Sequence, residues 1–229
     1  MLDDLKADVC QANKDLVSHG LVILTWGNVS GFDADKGLVA IKPSGVSYDK
    51  LKPDDIVIVD MEGKTVEGTL NPSSDTATHV HLYRHFPEIG GITHTHSLHA
   101  TMFAQARIEI ACMGTTHADH FNGPVPVTRP LTDGEVNEAY EHNTGKIIVE
   151  RFAELKPVEM PAVLVAGHAP FTWGKDAAES VKNAIALEAV ARMNIGTTTI
   201  RPDAPALEDY VLNNHHLRKH GPNAYYGQR

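Results

Sequence analysis

The chain reads as a single α/β domain, spanning residues 1–229, on a mixed sheet with helices on its faces. Three observations carry this. Apolar residues recur at helical spacing near both ends, whereas short β-branched runs lie between them. Some of these runs are joined by hairpin-type turns and others are separated by helical stretches, the pattern of a mixed sheet with flanking helices. Finally, 229 residues with 42% hydrophobic content suffice for one substantial core, and no repeat, low-complexity tract or linker divides them.

Taken in order, Leu2, Leu5, Val9, Ala12 and Leu16 mark an amphipathic helix that Gly20 stops. Thr25 to Gly31 reads as a glycine-bearing turn. Gly37–Lys42 is a strand closed by Pro43-Ser44-Gly45, and Ile56–Asp60 is a second, turning at Met61–Lys64 into a short third. Asn71–Asp75 precedes a helix reaching about Phe86, with Ser73 or Ser74 as its N-cap and Asp75 in its first turn. Ile89–His96 is a strand, and Ser97 caps a short helix through Gln105. Residues 111–135 form a long loop region with short strands. Glu141–Leu155 is a helix, Ala162–Ala166 a buried strand, Phe171–Trp173 another, and Asp176–Asn194 a strong helix. A proline-rich link leads to a last helix, Ala206–Lys219.

Composition excludes several functions. Net charge is −9 and the basic residues are scattered, so no nucleic-acid surface is expected. The apolar runs are about half of what a membrane span needs. Cys10 and Cys112 stand far apart with no signal peptide ahead of them, which suits a reducing cytoplasm.

The richest segment is His94-Thr95-His96. An extended backbone aims residues i and i+2 the same way, so both imidazoles face one point. With Asp75 upstream and His168 just past a hydrophobic strand, the candidate set is three imidazoles and a carboxylate. Such a set suits Zn²⁺, with Mn²⁺ or Co²⁺ as substitutes. The other histidines, His79, His81, His85, His99 and His142 among them, read as solvated or structural. Lys42-Pro43-Ser44-Gly45 and Asn71-Pro72-Ser73-Ser74 add small hydroxyls and backbone amides on turns, geometry that can bind a phosphate.

Together, Trp26-Gly27-Asn28-Val29-Ser30, Lys42-Pro43-Ser44-Gly45, Pro72-Ser73-Ser74-Asp75, His94-Thr95-His96 and His168 resemble, in order and spacing, the class II aldolase/adducin family. Gly114–Asp119 and the ending Lys219–Gln228 are similar to one branch of it, the pentose-phosphate epimerases. The resemblance implies an α/β/α fold around a mainly antiparallel sheet, a homotetramer with active sites between subunits, and a zinc-dependent epimerase. Its expected reaction interconverts L-ribulose 5-phosphate and D-xylulose 5-phosphate by retro-aldol cleavage of C3–C4 and re-addition to the rotated aldehyde. By motif position Asp75, His94, His96 and His168 would hold the metal. Gly27, Asn28, Ser44, Gly45, Ser73 and Ser74 would hold the sugar phosphate. Asp119 and Tyr226 would exchange protons, reaching in from a neighbouring subunit. Ala166-Gly167-His168-Ala169 departs from the epimerases' His-x-His-Gly, although the ligand position is kept. Two rivals remain: an aldolase of the same family that cleaves a ketose 1-phosphate, and a non-catalytic module like the adducin branch.

Overall fold

The computed structural model describes residues 2–221 and 224–225. Helix α1 (Leu2–Ser18) buries Val9, Ala12 and Leu16, and Gly20 ends it at φ +68°, in the left-handed region. Strands β1 (Gly27–Asp33), β2 (Leu38–Ile41), β3 (Val57–Asp60) and β4 (Thr65–Glu67) follow. Helix α2 (Thr76–His85), strand β5 (Gly91–Thr95) and helices α3 (Leu98–Ala106), α4 (Thr115–Ala118) and α5 (Asp133–Arg151) come next. The chain closes with β6 (Ala162–Leu164), β7 (Pro170–Gly174), α6 (Ala177–Ile200) and α7 (Asp209–His220).

Among the described residues seven strands form one sheet, in the order β4-β3-β2-β1-β5-β7-β6. Every pairing of these strands is antiparallel. The parallel component of the expected mixed sheet is one bridge, Val127 to Leu164. Alternation along the strands sends side chains to two cores. Val39, Val57, Val59 and Ile92 pack on the side of α2 and α5. Ala40, Ile58 and Val29 pack against α1 and the start of α6. This is the three-layer α/β/α arrangement.

One expectation fails at a central place: Gly27 to Gly31, read as a turn, is part of β1, with β2 on one side and β5 on the other. Its sequence, Gly-Asn-Val-Ser-Gly-Phe-Asp, has weak strand propensity. Burial between two partners decides the matter instead. Gly31 is required because a Cβ there would lie 2.9 Å from side-chain atoms of both Leu5 and Val9. Helix α2 begins at Thr76 with Asp75 itself at the N-cap position, so neither serine caps it. Helix α5 starts eight residues earlier than the pattern at Glu141 suggested. Its cap is Thr132, which forms a reciprocal capping box with Glu135.

Candidate active site

The sheet's register puts the site's first row together. Asn28 on β1 lies opposite His94 on β5, and His94 lies opposite Phe171 on β7. The His94 ring stacks on Phe171 (centroids 4.1 Å apart, planes at 19°), and its Nδ1 meets the carbonyl of Pro170 at 2.9 Å. A carbonyl can only accept, so Nδ1 is the donor here, and in the neutral ring that tautomer leaves the Nε2 lone pair for a ligand. His96 follows just past the end of β5, and His168 sits on the turn between β6 and β7. The three rings lie 4.9 to 5.1 Å apart.

One nitrogen from each of His94, His96 and His168 falls within 4.8 Å of the others. Nitrogens sharing a tetrahedral zinc are about 3.4 Å apart, so a small closing motion of the side chains would seat a cation. Burial and the neighbouring imidazoles push His168 down to about 4, and the same causes lower His96. Both rings are therefore neutral near pH 7, as ligation requires. The buried His168 Nδ1 has no hydrogen-bond partner. The donor set thus fits a divalent transition metal.

Asp75 lies on the same wall, but outside that group of three nitrogens. Its Oδ2 accepts from Asn28 Nδ2 at 2.6 Å. Burial alone would raise its carboxyl. The imidazoles of His94 and His79 and the Asn28 amide outweigh that and hold it below the usual range.

A cavity of about 650 Å³ opens over these groups, and Gly27, Asn28, Ser44, Gly45, Ser73, Ser74, Asp75, His94, His96 and His168 all line it. The two turns expected to bind an anion are stitched to each other, Ser44 N to Asn71 O at 3.0 Å and Ser73 N to Lys42 O at 3.1 Å. Two of the amides offered by the sequence are therefore already used. The Gly45 and Ser74 amides, the serine hydroxyls and Lys42 also stand at this end.

Lys42 opens the first of these turns, and nothing in its local pattern sets it apart from a solvated lysine. It is only 2% exposed, donates to Pro43 O at 3.2 Å, and its Nζ lies 4.9 Å from the centre of the Tyr48 ring. Tyr48 in turn donates to Gly27 O at 2.7 Å, tying the segment after the first turn to the start of β1. Trp26, Tyr140 and Glu141 also line the cavity. Tyr140 and Glu141 reach it because α5 breaks at Ala139 (φ −164°, ψ 78°), and Thr78 of α2 holds the Glu141 carbonyl at 2.6 Å. Asn-Glu-Ala-Tyr-Glu gives no local sign of a break, so this wall is not readable from the sequence.

Asp119 is not part of the cavity. It follows α4 and accepts from Arg218 at 2.9 and 3.0 Å, with His215 at 3.1 Å and Lys219 at 3.5 Å. Burial opposes ionisation here, but the Arg218 and His215 contacts prevail and hold the carboxyl low. Tyr226 lies outside the described residues.

A family model described as the class II aldolase and adducin N-terminal domain matches residues 7–195. Proteins called L-ribulose-5-phosphate 4-epimerase UlaF, from Salmonella paratyphi A (strain ATCC 9150 / SARB42) and Salmonella typhi, are each 54% identical over 228 residues. Each match covers 100% of both chains. Among solved structures, an L-fuculose 1-phosphate aldolase matches with a TM-score of 0.78 at 27% identity, over 93% of this chain and 94% of the other. The L-fuculose-1-phosphate aldolase from Thermus thermophilus matches with a TM-score of 0.69 at 25% identity, over 89% and 98%.

Proposed function

The chain belongs to the class II aldolase and adducin family, and on that premise we propose that it is a metal-dependent L-ribulose-5-phosphate 4-epimerase. The observation that carries this is the meeting, in one cavity, of three imidazoles and a lysine beside two serine turns. The full-length likeness to proteins named for that activity supports the choice of substrate.

In this mechanism His94, His96 and His168 would hold a zinc ion, with Asp75 as a further donor. Bound there, such a cation would supply Lewis-acid stabilisation of the negative charge that develops when C3–C4 of the ketose breaks. Asn28 fixes the Asp75 carboxylate and the floor beside it. Ser44, Gly45, Ser73, Ser74 and Lys42 bind the phosphate. Anchored by it, the aldehyde fragment can turn its other face to the carbon nucleophile without leaving. Tethering of this kind keeps re-addition effectively intramolecular. Gly27 lets the backbone pass close to β5, where a Cβ would meet His94 O at 2.9 Å.

Asp119 and Tyr226 exchange protons with the C4 hydroxyl, one for each face of the aldehyde. They act on the neighbouring subunit's cavity, in a homotetramer. That Asp119 does not line its own subunit's cavity is consistent with that role. So are the large apolar side chains left uncovered, with Ile200 87%, Tyr210 75% and Leu24 73% exposed. We place the enzyme in the cytoplasm, since Cys10 and Cys112 are free and buried. Among the described residues no helix is long and apolar enough to cross a membrane.

Product analysis decides between the epimerase and its aldolase rival. NMR of an incubation with L-ribulose 5-phosphate should show D-xylulose 5-phosphate accumulating without free glycolaldehyde phosphate. Net release of both fragments would make the protein a lyase instead.

A further inference from the structure

Strand β1 and helix α2 meet along a buried polar seam directly behind Asp75. A strand repeats its face every second residue and a helix nearly every fourth, so Asn28, Ser30 and Phe32 meet Asp75, His79 and Tyr83 in successive rungs. Asn28 holds Asp75 at 2.6 Å. Ser30 Oγ lies 2.7 Å from His79 Nδ1 and 2.8 Å from the Tyr83 hydroxyl. Phe32 stacks on the Tyr83 ring at 4.8 Å between centroids. Ser30 and His79 are both 0% exposed.

Two polar atoms on the seam lack a partner, Asn28 Oδ1 and His79 Nε2, and both are buried. Such atoms are rare in folded chains and each calls for a reason. Burial keeps the His79 ring neutral, while the charge of Asp75 favours a proton on the ring and that of His94 opposes it. Ser30 links the ring to Tyr83. With Tyr83 donating to Ser30 and Ser30 donating to Nδ1, the ring's single proton is on Nε2, on offer to a carboxylate.

We propose that His79, anchored by Ser30, is a positioning residue for Asp75, donating its Nε2 proton to that carboxylate when a divalent cation is held by His94, His96 and His168. This rests on the metal centre proposed above. With Asn28 and His79 both donating, the carboxylate loses its rotational freedom and keeps a lone pair directed at the cation. Groups that orient metal ligands in this way typically change affinity by about 10- to 100-fold when removed.

The test is the zinc dissociation constant of metal-stripped full-length protein, read by competition with a chromophoric chelator, beside its thermal unfolding midpoint. His79→Phe should weaken zinc binding by about 10- to 100-fold, His79→Gln should recover part of it, and Ser30→Ala should shift it the same way. A purely structural role would lower the unfolding midpoint of the stripped protein and leave the constant of its folded form unmoved. If His79→Phe does not fold, Ser30→Ala, which adds no bulk, decides. Zinc binding within about threefold of wild type in the folded variants, well short of that range, would overturn the proposal alone. Wild-type protein that binds no zinc would overturn both it and the metal centre.

Discussion

Lys42 sits where burial works against its charge, which pushes it down to about 8. A base with a lowered pKa is charged below that pH and neutral above it. If its ammonium meets the substrate phosphate, kcat/KM, which reports the free enzyme, should fall as pH rises through about 8. Lys42→Met should abolish that limb and raise KM by about 10- to 100-fold, the worth of one charge-assisted hydrogen bond. A wild-type profile that stays level to about pH 9 would remove Lys42 from phosphate binding. At this scale the sequence is most readable where chemistry has few alternatives. His94-Thr95-His96 needs only an extended backbone to present two imidazoles, and the turns 43–45 and 72–74 need only their glycine and prolines. The signal that could find Lys42 is the need to neutralise a phosphate in a chain of net charge −9. Asp75 at the N-cap position, with its carboxylate turned to Asn28, depends on contacts from β1 that no local pattern reveals.

The elements hold these residues through a few contacts between distant segments. Glu188 of α6 is one: its carboxylate accepts from the backbone N–H groups of His99 and Ala100 at 3.0 to 3.1 Å and lies 2.6 Å from His99 Nδ1. It thereby satisfies the amides that the first turn of α3 leaves open, just beyond His96. Burial would raise the carboxyl, but these donors hold it below its usual range. Glu188→Ala should therefore destabilise the protein by about 1–3 kcal/mol, from the stranded donors. Urea denaturation checks this, and an unchanged midpoint would mean that water replaces the cap without cost. Helices whose apolar residues recur clearly, such as α1 and α6, are legible with only their ends adjusted. β1 is not, because a strand buried between two others needs no alternation of its own and here carries two glycines. The break in α5 at Ala139 is equally hidden, since the contact that accompanies it, Thr78 of α2 on the Glu141 carbonyl, comes from a distant segment.

At the scale of the molecule, one cavity gathers residues from β1, β5 and the turns around them, while Asp119 belongs to the α4–α7 edge. The proposed sharing of sites between subunits gives a distinctive prediction. Asp119→Asn and His96→Asn should each be nearly inactive alone, the first with its zinc retained and the second without zinc. Subunits of the two variants mixed at random before reassembly should recover about a quarter of wild-type activity, because about one site in four then combines two intact contributors. No recovery in proven mixed oligomers would confine the reaction to one subunit. The three-layer class is foreseeable from the alternation of hairpins and helices, whereas the strand order is not. It depends on long-range pairings such as β5 with β7, separated by some 75 residues of other structure. The most direct test of the whole proposal is conversion of L-ribulose 5-phosphate by the purified protein before and after chelation. D-xylulose 5-phosphate should form, its formation should stop on removal of the metal, and zinc should restore it at one ion per chain. Undiminished conversion by protein proven free of metal would contradict a centre built on His94, His96 and His168.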